Sequence, residues 1–351
     1  MRVAVILVHY HTPELAADAV EALRADLAGI ESELLVVDNG SDAAGRALLE
    51  SLPARRIDPG SNLGYAGGVN LGVARSTASD PADIVIVMNP DVLVFPGCVP
   101  ALLDRLRAGA AVAGPAFFWD RGRRMILPPA EERTRRGEML ALLAAHSEGW
   151  AARARRRWRR HARKHWEARA PLASYALSGS LLAIRRDAWE QVGPFDEGFR
   201  LFFEETDWLL RARRKGLRSE YVPGAEAVHL YSQSAAREPR SQQWFEESAR
   251  RFRRLHYGGW FARGVESLYR RLPGSPGPGL PALTERGLDL PREAAYPLWV
   301  EVSPTPAGFP ATAERIDAPS GVWTLPEEIA ERMPGGTWHV RVTDREGREV
   351  A

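Results

Sequence analysis

The chain has 351 residues, 45% of them hydrophobic and 26% charged, with a formal net charge of +2. These are globular values, the length suggests two domains or one large domain with an appendage, and the near balance of charge gives no reason to expect nucleic acid as a partner. The single cysteine, Cys98, excludes an internal disulfide and a cysteine-built zinc site and suits a reducing compartment.

Val3–Val8 is a continuous apolar run, as expected of a strand buried on both faces. It carries no basic leader and passes directly into a polar turn, so it reads as neither signal peptide nor membrane span. No later stretch approaches the ~20 apolar residues that a span requires. A soluble cytoplasmic protein is expected, or one peripheral at the inner face of the membrane. Thr12-Pro13-Glu14 opens a helix with a capping residue and a first-turn proline. Glu33–Val37 is a second strand, followed by the dense turn signal Asp38-Asn39-Gly40-Ser41-Asp42. Ser41 and Asp42 suit the cap of the next helix. Ala54–Ile57 is a short third strand, Ala66–Ser76 a helix, and Ile84–Met88 a fourth strand ending at Asn89-Pro90-Asp91. Such alternation predicts an α/β fold with a mostly parallel twisted sheet and flanking helices. Ligands of these sheets sit outside the carboxyl ends of the strands, where Asp38 and Asp91 both fall.

Glu131 to Ala168 reads as a helical arm. Arg153 to Lys164 within it is densely basic and flanked by Trp150, Trp158 and Trp166. Two readings stand side by side: a solvated arm whose tryptophans pack on the catalytic domain, or a helix touching an anionic membrane or acceptor through residues 150–166. Eight-residue spacing turns each Trp by roughly 80°, so the three do not form one straight stripe. Next come a strand at Leu181–Ile184, a helix from Arg186, an acidic segment Phe195–Leu210, strands near Ser219–Val222 and Ala227–Tyr231, and a helix over Ser241–Leu255. Pro273 to Pro281 is a Pro/Gly-rich linker. Beyond it Leu298–Val302, Gly321–Leu325 and Trp338–Thr343, with turns at Pro334-Gly335-Gly336 and Arg345-Glu346-Gly347, predict a small antiparallel β module. The expected division is a catalytic domain over 1–260 that carries the arm at 131–170, a helix end and linker over 261–285, and an accessory module over 286–351. A homo-oligomer is compatible with this organisation.

Five segments occur in order: Val36-Val37-Asp38-Asn39-Gly40-Ser41, Asn62-Leu63-Gly64-Tyr65-Ala66-Gly67-Gly68-Val69-Asn70, Asn89-Pro90-Asp91-Val92, Ser178-Gly179-Ser180 and Phe203-Glu204-Glu205-Thr206-Asp207-Trp208. Together they resemble the family 2 glycosyltransferases, especially the rhamnosyltransferase-like branch, over roughly residues 2 to 235. The resemblance implies a GT-A-type fold and an inverting hexosyltransferase, in the branch's case a rhamnosyltransferase, of cell-wall or polysaccharide biosynthesis. It would move a sugar from a nucleoside diphosphate donor to a saccharide or lipid-linked acceptor, assisted by a divalent cation, Mn²⁺ or Mg²⁺.

By the same resemblance Asp38 accepts a hydrogen bond from the nucleotide base, while on its own residues an Asx-turn serving Asn39-Gly40 explains it equally. Asn62 to Asn70 combines turn-forming Asn with closely spaced glycines before a helix, whose free N–H groups could meet phosphate. The resemblance places Gly67, Gly68 and Asn70 beside the nucleotide sugar, and Tyr10 and Asn62 in the same donor site. A tight loop and helix cap is the alternative. Asn89-Pro90-Asp91 stands where related enzymes carry an Asp-x-Asp metal motif. Asn89 lowers the ligand charge by one, and Asp91 with His229 would hold the metal or diphosphate. If Glu204 begins a helix, Asp207 shares its side while Glu205 points about 100° away. The resemblance makes Glu205 the general base, with Glu204 as alternative, and puts Asp207 and Trp208 near the acceptor. A solvated acidic helix start and a core tryptophan are the plainer readings. His9 and His11 flank Tyr10 where relatives commonly have Thr-Tyr-Asn. Two further functions remain open from sequence: a sugar-phosphate nucleotidyltransferase, whose Gly-rich basic loop after strand one is not found here, and a degenerate transferase that binds nucleotide sugars or glycans.

Overall fold

The computed structural model describes residues 1–76, 81–230, 240–271, 279–333 and 336–350. By contacts the chain divides into two compact units, Met1–Ala116 with Ala168–Ala262, and Phe117–Glu167 with Arg263–Ala351. In chain order the first unit opens with β1 (Val3–His9), α1 (Pro13–Asp26), β2 (Ser32–Asp38), α2 (Ala43–Ser51), β3 (Arg55–Ile57), α3 (Gly64–Ser76), β4 (Ile84–Met88), β5 (Val92–Val94), α4 (Cys98–Arg107) and β6 (Val112–Phe118). An insertion follows with β7 (Ile126–Leu127), α5 (Arg135–Ala144) and α6 (Glu148–Trp166). The chain then returns with β8 (Leu172–Ala173), β9 (Leu181–Arg185), α7 (Arg186–Val192), α8 (Glu204–Arg214), β10 (Ser219–His229), α9 (Ser241–Tyr257) and α10 (Gly259–Arg271). The last elements are β11 (Gly287–Asp289), β12 (Leu298–Ser303), β13 (Thr312–Ile316), β14 (Val322–Thr324), α11 (Glu327–Arg332) and β15 (His339–Thr343).

In the first unit β3, β2, β1 and β4 lie side by side and parallel. β9 then pairs antiparallel with β4, and β6 antiparallel with β9. Every residue of β1 and β4 is buried, which is why both read as unbroken apolar runs: helices cover both faces of a parallel sheet. The helices start as the residue types dictate. Pro13 sits in the first turn of α1, and Asp42 caps α2 by accepting from the Gly45 N–H at 2.8 Å. Asp26, at the end of α1, caps α4 from a distance by accepting from Gly97 N and from Val99 N. α3 lies close on the sheet because Gly68 and Gly72 carry no Cβ: one built there would stand 2.7 Å from Val8 Cγ1 and 2.3 Å from Ile6 Cγ2.

In the second unit β12 is central, with β13 and β15 antiparallel on either side and β7 beyond β13. β11 and β14 form a separate antiparallel pair. α6 buries Trp158, Ala162 and Trp166 against Trp299, Ala311 and Ala313, with the Trp166 and Trp299 rings stacked at 5.4 Å. The helix is also held by charge. Glu301 of β12 is 1% exposed and is neutralised by Arg341 and by Arg159 of α6, whose Nε lies 3.4 Å away. Arg163 donates to the carbonyls of Asp344 and Arg345.

Three expectations change. The arm is not one helix over 131–168 but two, α5 and α6, separated at residues 145–147. Trp158 and Trp166 meet the β12–β13 strands, and the arm belongs to the second unit. The strand expected near 219–222 and the one near 227–231 are a single strand, β10, running through Pro223-Gly224. Tyr231, most of the linker 273–281 and the Pro334-Gly335 turn lie outside the described residues.

Candidate active site

The registers of the first unit bring several strand ends to one edge. His9 of β1 pairs with Asp38 of β2, and Leu7 of β1 with Met88 of β4. Met88 in turn faces Leu181 at the start of β9, and His229, the last residue of β10, faces Val92 of β5. The segments after β2 and β4, the segment before β9 and the end of β10 therefore converge. Two backbone bonds tie them: Asn89 N to Ser180 O and Leu230 N to Asp91 O, both at 2.9 Å.

Asp91 and His229 meet there, with Oδ1 and Nε2 3.6 Å apart. Ser180 Oγ lies 3.4 Å from His229 Nε2 and accepts from Asn89 Nδ2 at 3.4 Å. Asp91 is 3% exposed. Beside this group Tyr65, at the start of α3, donates to the Gly179 carbonyl at 2.8 Å. Although Tyr65 as a whole is only half-buried, its hydroxyl is enclosed. Burial first, and then the charges of Glu204, Glu205 and Asp91, push the phenol well above its usual range. One hydroxyl thus feels carboxylates from two elements at once.

The acidic segment forms the first turn of α8, where carboxylates face the positive end of the helix. Phe202 and Phe203 enter that turn with φ of 67° and 72°, a left-handed backbone that side chains other than glycine adopt at a cost of ~1–3 kcal/mol. Glu204 is 5% exposed, and its Oε2 has no hydrogen-bond partner among the described residues. Burial, then the Glu205 charge, drives its carboxyl well above the ordinary range. Glu205 is half-buried. It accepts from Thr206 Oγ1 at 2.9 Å and packs on Gly179, where a Cβ would stand 2.9 Å from its Cγ. As the helical spacing implies, Asp207 shares the buried side with Glu204.

The expected acceptor role of Asp207 and Trp208 is corrected by their surroundings. Trp208 is wholly buried and donates Nε1–H to the Gly193 carbonyl at 2.8 Å. Asp207 is 3% exposed and held between Arg211 and His256 at 2.8 Å each. Both anchor α8 and neither presents a surface to a ligand.

Asp38 forms a second centre. Its Oδ1 accepts from Gly40 N at 3.2 Å and Ser41 N at 2.9 Å, and its Oδ2 from Arg56 Nη1 at 3.1 Å. Burial alone would raise this carboxyl, but bonds from Ser41 and Gly40 and the nearby His9 bring it below its ordinary value. The Asx-turn is therefore present. His9, fully buried, accepts from Thr12 N at Nδ1 and lies 2.8 Å from Ser41 Oγ at Nε2. Thr12 and Ser41 hold the histidine rather than cap their helices through their side chains.

The Asn62–Asn70 loop is bound up in protein contacts. Leu63 N, Gly64 N and Tyr65 N donate to Asn39 Oδ1, Asn62 Oδ1 and Arg200 O, so these amides are not the free phosphate donors expected. Gly64 has φ of +74° and would place a Cβ 2.6 Å from Arg200 O. Gly67 packs on Leu63 and Gly68 on Val8. Asn70 exchanges two bonds of 3.0 Å with the backbone of Phe195. Tyr10 lies half-buried over Gly40, 3.6 Å from where its Cβ would be.

Four residues matter that the sequence reading quoted without a role. Asn39 ties the glycine loop to β2, with its Nδ2 on Gly64 O at 3.0 Å. Tyr65, Gly179 and Ser180 join the two acidic groups. Their signal was only their place inside the five segments. Among the described residues no group of three or more His, Cys, Asp or Glu side chains could hold a metal ion by itself. No helix among them is long and apolar enough to cross a membrane.

The sequence pattern of glycosyl transferase family 2 matches residues 4–193. The chain is 37% identical over 223 residues to N-acetylglucosaminyl-diphospho-decaprenol L-rhamnosyltransferase of Mycobacterium tuberculosis, covering 59% of this chain and 69% of that one. It is 24% identical over 253 residues to the low-salt glycan biosynthesis hexosyltransferase Agl10 of Haloferax volcanii, covering 71% and 74%. Among solved structures it matches the mannosyltransferase PcManGT of Pyrobaculum calidifontis, in complex with GDP-Man and Mn2+, at a TM-score of 0.43 and 14% identity over 77% of this chain and 74% of that one.

Proposed function

The chain belongs to the family 2 glycosyltransferases, and from that premise we propose that it transfers a hexose, of the rhamnose type, from a nucleoside diphosphate to a lipid-linked saccharide with inversion. The rhamnosyltransferase likeness supports the sugar and the diphospho-decaprenol acceptor of that relative supports a lipid-linked one. A lipid-linked acceptor would also bring the enzyme to a membrane surface. The observation that carries the chemistry is the segment before β9: Gly179 packs on Glu205 and accepts from the Tyr65 hydroxyl, and Ser180 beside it meets Asn89 and His229 next to Asp91.

Within it Glu205 is the base. Of the two adjacent carboxyls Glu204 is the one that burial raises well above the ordinary range, and Glu205, the more exposed, is the one open to an acceptor hydroxyl. Glu205 takes the acceptor hydroxyl proton as that oxygen bonds to the anomeric carbon, and the bond from that carbon to the diphosphate oxygen breaks with its electron pair leaving on the diphosphate. Asp91 and His229 fit a divalent cation as two ligands whose companions would be substrate oxygens, the way Mg²⁺ and Mn²⁺ are commonly held. A cation there would neutralise charge on the departing diphosphate. Asp38, held ionised by bonds from Ser41, Gly40 and Arg56, is the carboxylate we assign to a base N–H. Tyr10, Asn62 and Asn89 border the donor. Gly67, Gly68 and Asn70 act by keeping the loop in place.

The test is release of nucleoside diphosphate from a panel of nucleoside diphosphate sugars, with a polyprenyl diphosphate saccharide as acceptor and with Mn²⁺ or chelator. Release only in the presence of acceptor is expected, with Asp91→Asn lowering it on the order of 100-fold and abolishing any response to Mn²⁺. Failure of every donor to turn over would end the transferase reading. A rate indifferent to chelator would remove only the metal.

A further inference from the structure

The second unit carries a surface that the transfer chemistry does not use. The helical insertion, residues 131–167, holds eleven Arg and Lys against five Glu, net +6 in a chain whose total is +2. Folding sorts these charges. Along α6 the residues facing water are Trp150, Arg153, Arg156, Arg160 and Lys164, spaced three or four apart and hence on one stripe. Trp158, Ala162, His165 and Trp166 take the opposite, buried side. The other arginines of α6, Arg155, Arg157, Arg159 and Arg163, are ion-paired with Glu148, Glu131, Glu301 and Glu167. Arg153, Arg156, Arg160 and Lys164 pair with no carboxylate among the described residues. Arg153 instead lies over the Trp150 ring, 5.9 Å from its centre.

α5 continues this face with apolar groups. Arg136, Met139 and Leu143 are exposed at the same spacing. With Leu140, Trp150 and Arg153 they border an open groove between the two helices. Met139, Leu143 and Trp150 are 36%, 37% and 43% exposed, three large apolar side chains together where water would ordinarily exclude them.

We propose that the α5–α6 face docks on an anionic phospholipid bilayer, with Met139, Leu143 and Trp150 entering the headgroup boundary and the arginine stripe meeting lipid phosphates. An apolar wedge beside a row of unpaired cations is what an interfacial helix needs. A second copy is a poor occupant, because a symmetric contact would set one cationic stripe against another. A nucleic acid would answer the arginines but leave the aliphatic pair Met139 and Leu143 in water. The face shares no residue with the proposed transfer site, so each can fail its own test without the other.

The test is co-sedimentation of the full chain with vesicles of phosphatidylcholine alone or containing phosphatidylglycerol, at low and high salt. Binding is expected only with phosphatidylglycerol and only at low salt. Replacing Arg153, Arg156 and Arg160 together by Gln should weaken it on the order of 100-fold. Replacing Met139, Leu143 and Trp150 by Ser should weaken it about 10-fold without changing its salt dependence. The replaced side chains are exposed, so circular dichroism should be unchanged, and turnover of a water-soluble acceptor should match wild type. The proposal is overturned if the full chain stays in the supernatant with anionic vesicles at low salt. Binding that both variants retain would overturn it too, as would tight duplex DNA binding without vesicle binding.

Discussion

Asp38 and Glu204 are both carboxylates that the first unit removes from water, 3% and 5% exposed, and their protonation moves in opposite directions. Around Asp38 the fold supplies the Ser41 side chain and the amides of Gly40 and Ser41, which offset desolvation and bring the group below its ordinary range. Around Glu204 it supplies a second carboxylate, and burial is reinforced instead of answered. Buried charge is costly unless it is paired, so an unanswered acid keeps its proton. The difference separates a group that organises backbone from one whose burial is unanswered, next to Glu205, the base we propose.

The largest effect should come from breaking that division of labour. Glu205→Gln is expected to lower kcat on the order of 1000-fold with nucleotide affinity unchanged, whereas Glu204→Gln, which resembles the protonated acid, should stay within about threefold of wild type. Steady-state kinetics beside nucleotide titration measure both. The assignment is reversed if Glu204→Gln is the dead variant.

The next effect lies at the Asp38 end. Desolvation holds the buried His9 imidazole down to about 4, below the ~6.5 of an unfolded chain. A folded value below the unfolded one means the unfolded state binds the extra proton, so stability falls as pH drops from about 6.5 to about 4, by ~3 kcal/mol in all. His165 in the second unit is likewise held to about 4 by burial and adds its own loss in the same range. Urea unfolding from pH 7 to 4 should show His9→Gln losing the His9 share alone. An identical acid slope in that variant would mean His9 is not the titrating group.

The smallest effect sharpens the contact between Glu205 and the loop before β9. Gly179→Ala places a methyl 2.9 Å from Glu205 Cγ and should cost about 10- to 100-fold in kcat with Tm within a few degrees. Wild-type turnover would show that Glu205 has room to move.

Much of the fold was readable because its signals are local. β4 and β1 up to Val8 are buried on both faces and so read as apolar runs, and Asp42 caps α2 in the position its residue type suggests. The strands β5, β7 and β8 were not readable, being two or three residues long without a helix on either side to mark them off, as β3 has. Of the site, the strand-end positions of Asp38 and Asp91 and the split of Glu205 from Glu204 and Asp207 followed from α/β logic and helical angle. That Trp208 and Asp207 are occupied by protein was not readable, because their partners Gly193 and His256 are remote in sequence.

Composition, apolar runs and motif order therefore determined an α/β sheet, the strand edge where its motifs fall and the residue types gathered there, since each depends on neighbours a few positions away. Only tertiary structure decided that the basic arm packs on β12 and β13, that Tyr65 bridges to Gly179, and that burial raises the Glu204 carboxyl. Those outcomes are set by which distant groups share a low-dielectric space, and protonation and packing depend on that company more than on chain order.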